Sequence, residues 1–77
     1  MSTPVPVFEG DIFATELRAV IQRLGLLNVV TARAVPALAA VRLVWIHGAE
    51  AIDFPASAET AKRLREALEI YAERRRS

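Results

Sequence analysis

The feature that most constrains this fold is a strand–turn–strand–helix series in the second half of the 77-residue chain. Leu43, Val44, Trp45 and Ile46 form an apolar run, rich in β-branched and aromatic side chains, that stops at His47 and Gly48. Such a run reads as a strand entering a turn. Leu43 and Trp45 fall on one face and Val44 and Ile46 on the other, and a strand apolar on both faces is usually central and covered on both. Beyond the turn, residues 51–54 alternate small or polar with large apolar side chains, which places Ile52 and Phe54 on one buried face of a second strand. Pro55 ends it, because proline has no N–H to give to a sheet ladder.

A helix follows. Ser57 is placed to cap it, since a serine oxygen accepts from a free N–H of the first turn. Glu59 near the start and Arg74, Arg75 and Arg76 near the end both suit the helix dipole. Ala61, Leu64, Leu68, Tyr71 and Ala72 make one apolar stripe, with Lys62, Glu66, Glu69 and Glu73 opposite. Glu59 and Arg63 are spaced to pair on the exposed side.

Toward the N-terminus the spacing predicts a second helix. Asp11 is its expected cap, Phe13, Leu17, Val20, Ile21 and Leu24 its buried stripe, and Gly25 the residue just past its end. Residues 5–8 read as a short strand, restricted to an edge by Pro4 and Pro6. Residues 1–6 and 75–77 are expected to fray. Between helix and central strand, residues 29–35 read either as a strand or as a helix broken by Pro36; their β-branched content and the proline favour the strand. Pro36 then opens a turn running to residue 40. The whole chain is one small domain, residues 1–77, of the α+β class. Its expected order is β-α-β-β-β-α, a two-layer sandwich with a mixed or antiparallel sheet of three or four strands and both helices on one face.

A chain this short buries only about 60% of its unfolded surface, so its stability margin is thin. No cysteine is present to add a disulfide or a thiolate metal site, a composition that fits a reducing cytoplasm. Fourteen alanines dilute the 53% apolar content, and self-association is one way such a domain gains the burial it lacks. The net charge of +1 provides no global field toward nucleic acid or an anionic membrane. No basic-then-apolar leader opens the sequence, so no export is expected. The rather apolar stretch 24–46 contains Asn28, Arg33, Pro36 and Arg42 and makes a poor membrane span.

Groups for catalysis are few. His47 is the only histidine; beside Glu50 and Asp53 it offers at most a weak acid–base pair at a turn, and the pattern fits a polar turn better than an enzyme. Three scattered glycines form no phosphate loop. No cofactor, metal or small-molecule substrate is indicated. Nucleic acid is not favoured either, because Lys62, Arg63 and Arg65 are interleaved with glutamates on their helix, although a hairpin wing and the arginine tail would permit it. The remaining reading is a small interaction or regulatory module that binds a protein partner or a second copy. Its candidate contact residues are Leu43, Trp45, His47 and Ile70, with Trp45 either facing a partner on an open sheet face or lying in the core beneath a helix.

Gly10 and Asp11, followed by a helix, and the stretch from Leu43 through Gly48 to Ile52 and Asp53 resemble two segments of STAS domains of the anti-sigma-antagonist type. The resemblance implies partner switching through protein contacts. After Asp53 that family has Ser and then Gly at the start of a helix, where this chain has Phe54, Pro55, Ala56 and Ser57.

Overall fold

Acidic residues at the start, a basic residue at the end and one apolar stripe make the helix α1, Glu9–Arg23. The computed structural model describes residues 7–76. α1 begins two residues before the expected cap: Phe8 occupies the cap position, no side chain caps the helix, and Asp11 lies within the first turn. Gly10 leaves room for the Phe8 side chain. A Cβ there would lie 2.1 Å from Cε1 of Phe8, so only glycine lets that ring pack over the first turn. Gly25, at φ +73°, takes the left-handed conformation just past the helix end, where glycine avoids the Cβ penalty. The N–H of Leu26 returns to the carbonyl of Ile21 and that of Val30 to Leu26, closing the turn into the sheet.

Three antiparallel strands follow in spatial order β1-β2-β3: β1 Val30–Val35, β2 Ala40–Trp45 and β3 Ala51–Pro55. β1 is the strand that the β-branched run predicts. Pro36 opens a 3₁₀ turn, Pro36–Leu38, which ends on Ala39 at φ +48°, a left-handed conformation unusual for a residue with a Cβ. The register sets Ala32 against Leu43 and Leu43 against Ile52, and one row over it sets Arg33 against Arg42 and Arg42 against Asp53. Of the expected N-terminal strand at 5–8, residues 5 and 6 lie outside the described residues, and Val7 and Phe8 are not in a strand. The described order is α-β-β-β-α, an α+β domain with a wholly antiparallel sheet.

α2 spans Ala58–Arg76. Ser57 caps it as expected: Oγ accepts from the N–H of Thr60 at 3.2 Å. Replacing Ser57 by Ala is expected to lower stability by about 1 kcal/mol in urea unfolding; an unchanged midpoint would show that this hydrogen bond contributes nothing. α1 lies against β1 and β2, and α2 runs beside α1. The two helices point the same way, because their N-terminal turns line one groove while Arg23, at the end of α1, reaches Glu69 of α2 at 3.8 Å. Leu17, Ile21, Val30 and Val41 are fully buried, and Leu64 and Leu68 of α2 close the same core.

The helix-covered side of the sheet carries Val30, Ala32, Val41 and Leu43, all buried. By alternation Trp45, Ile52 and Phe54 belong to that side too. The central strand is therefore covered on one face only. On the other face Val44 is half-buried and Ile46 is 51% exposed. Arg42 shares the parity of Val44 and Ile46 and marks that face as the open one.

Candidate functional site

The four candidate contact residues do not form one surface. Leu43 is 2% exposed beneath the helices and has no surface to offer a partner. Trp45 lies on the same side and packs in part against the core, so the pairing of these two residues on an open face is corrected by the register. His47 is exposed in the turn between β2 and β3. Ile70 is 53% exposed on α2, apart from the buried stripe of Ala61, Leu64, Leu68 and Ala72.

The open sheet face is not an apolar plate. A charged row crosses its middle, in which Nε and Nη2 of Arg42 donate to Oδ1 and Oδ2 of Asp53 at 2.6 and 3.1 Å. This two-pronged pair, through its hydrogen bonds and opposite charge, holds the Asp53 carboxyl below the ordinary aspartate range and raises Arg42. A carboxyl depressed in the folded state stabilises the fold above its unfolded-state pKa, and that contribution is lost as pH falls through the folded-state value. Asp53 is thus expected to titrate below a normal aspartate in an NMR pH series, and Arg42→Leu should return it to the normal range. An unshifted Asp53 in the parent protein would contradict the pairing.

The register sets Asp53 opposite Arg42, away from the turn that carries His47. Asp53 is engaged by Arg42 across the strands, and no hydrogen bond joins His47 to Glu50. Among the described residues no three His, Asp or Glu side chains converge as a metal site. A groove of about 270 Å³ between the helix N-termini is lined by Glu9, Ile12, Phe13, Glu16, Ser57 and Ala61. On α2 the expected pair forms, with Arg63 donating to Glu59 at 2.8 Å.

What the sequence reading missed is the free side of β3. The bonds from Trp45 N–H to Glu50 and from Ala56 N–H to Ala39 fix which β3 groups face β2: those of the even-numbered residues. Ala51, Asp53 and Pro55 therefore point outward. Pro55 has no N–H, and its carbonyl accepts from Ser57 at 3.0 Å. The N–H and C=O groups of Ala51 and Asp53 remain, and no described residue pairs with them. The opposite edge is engaged in part: along β1, Val30 N–H bonds to Leu26, the Ala32 carbonyl accepts from Nε of Arg18 at 2.8 Å and both residues are fully buried, whereas Ala34 finds no described partner and Ala51 and Asp53 of β3 are exposed. Ile52, 42% exposed, stands beside the free β3 edge, with Phe54 on its own strand and Trp45 diagonally across β2. Pro55, which ends the strand in sequence, was the available signal for a free edge.

No family model, curated protein or solved structure matches this chain. In the segments that resemble a STAS domain, Gly10 and Asp11 lie inside the first turn of α1, and Asp53 lies within β3 opposite Arg42. No helix among the described residues is long and apolar enough to cross a membrane.

Proposed function

We propose that this protein is a small, non-enzymatic interaction module of the cytoplasm that acts through protein contacts, chiefly with a second copy of itself. The observation that carries the reading is the unpaired β3 edge with Ile52 exposed beside it. Unpaired strand edges are templates for another strand, and proteins normally blunt or cover them. Here β1 is buried at Val30 and Ala32, while β3 keeps the backbone groups of exposed Ala51 and Asp53 beside an apolar strip of Trp45, Ile52 and Phe54. A small core gives self-association a second benefit, since binding a folded partner adds to the stability of each fold.

Linkage provides the test. For a domain stabilised by dimerisation, the thermal midpoint rises with protein concentration. The midpoint is expected to climb steadily between low and high micromolar protein; one that is independent of concentration would remove self-association.

A further inference from the structure

Resting on that reading, we infer that the second copy docks by antiparallel pairing of β3 with β3, in one register, with the two-fold axis passing beside Ile52. Each edge offers four groups, the N–H and C=O of Ala51 and of Asp53. Two outward-facing residues set opposite each other in an antiparallel pair exchange two hydrogen bonds. Setting Ala51 against Asp53 of the other copy, and Asp53 against its Ala51, forms four bonds and uses every free group on both edges. Centring the pair on Asp53 forms only two, because its next position needs the missing N–H and the engaged carbonyl of Pro55. That alternative also sets two aspartates face to face, where like charges repel. Centring on Ala51 likewise yields two bonds within the strand.

The chosen register also places the side chains well. Ile52 meets Ile52 of the other copy in a non-hydrogen-bonded pair, the closer of the two antiparallel spacings. Both side chains lie on the helix side of the sheet, where Phe54 and Trp45 flank them. Asp53 faces the small Ala51, and its carboxylate keeps its own Arg42. No like charges meet across the axis. Three strands from each copy then form one continuous sheet, and the interface is isologous, with each copy giving the same patch.

Two full-length variants test this together with the mass of the parent protein. Ala51→Pro removes one outward N–H from the first residue of an edge strand, a place where proline is tolerated. It should weaken dimerisation by about 30-fold, because two bonds per dimer are lost, while the helical circular dichroism stays unchanged. Ile52→Cys introduces the only thiol into a cysteine-free chain. Non-hydrogen-bonded partners have Cα atoms about 4.5 Å apart, inside the range of about 4.4–6.8 Å that a disulfide spans. Under mild oxidation Ile52→Cys should cross-link into a dimer at least about 10-fold faster than Ile70→Cys. A dimeric parent whose Ala51→Pro variant dimerises undiminished, or in which Ile70→Cys cross-links faster than Ile52→Cys, overturns the β3 pairing and leaves the interaction reading in place. A monomeric parent overturns both.

Discussion

Replacing Ile21 by Ala is expected to destabilise the fold by about 2–5 kcal/mol in urea unfolding. Ile21 is fully buried in the single core, where α1 meets the sheet and α2 closes over it. Truncation removes transfer free energy and leaves a cavity that the neighbours fill only in part. The effect is large against the whole. A domain of this length has a total stability of about 4–12 kcal/mol, so the variant should be partly unfolded at physiological temperature. Much of the rest of the core is alanine (Ala14, Ala32, Ala61 and Ala72) and has little volume with which to compensate. A loss below about 1 kcal/mol would mean that the helices do not pack on the sheet as described.

Replacing Ile52 by Lys is expected to weaken self-association by on the order of 100-fold or more without unfolding the chain. The two-fold axis doubles the effect, because each dimer loses two buried isoleucines and brings two ammonium groups face to face. In the single copy Ile52 is 42% exposed and contributes little to the core, so far-ultraviolet circular dichroism should match that of the parent. The thermal midpoint of the variant should also no longer depend on concentration. Sedimentation velocity of the variant beside the parent separates this from unfolding, since an unfolded chain would sediment more slowly than a compact monomer.

Much of this fold was legible wherever one residue type carried a single physical meaning. Ser57 capped the helix it was expected to cap, Gly25 took the left-handed position past α1, and Pro36 opened the turn after β1. The start of α1 was not legible. Asp11 is a better capping residue than Phe8, yet it lies inside the first turn, and the Phe8 ring packs over the bare backbone of Gly10, a contact that no local propensity encodes. The faces of the central strand were misread for a related reason. Val44 and Ile46 look buried by hydropathy, yet they share parity with Arg42, and a guanidinium bound to Asp53 on the neighbouring strand turns that face outward.

The candidate site was harder still. Trp45 attracts attention as a residue type, but the register of β2 places it under the helices. An edge is a property of strand order, which no single strand reveals. Only when Val30 and Ala32 of β1 prove to be fully buried, while Ala51 and Asp53 are exposed with no described partner, does β3 stand out. His47, prominent as the only histidine, stands exposed in the turn, and the register places Asp53 opposite Arg42, away from it.

The most direct measurement is the mass of the unmodified protein in solution, by sedimentation equilibrium over a wide concentration range. A chain of 8.5 kDa that pairs through β3 should approach twice that mass, about 17 kDa, as concentration rises. A mass that stays at 8.5 kDa up to about 100 μM would contradict self-association through the β3 edge.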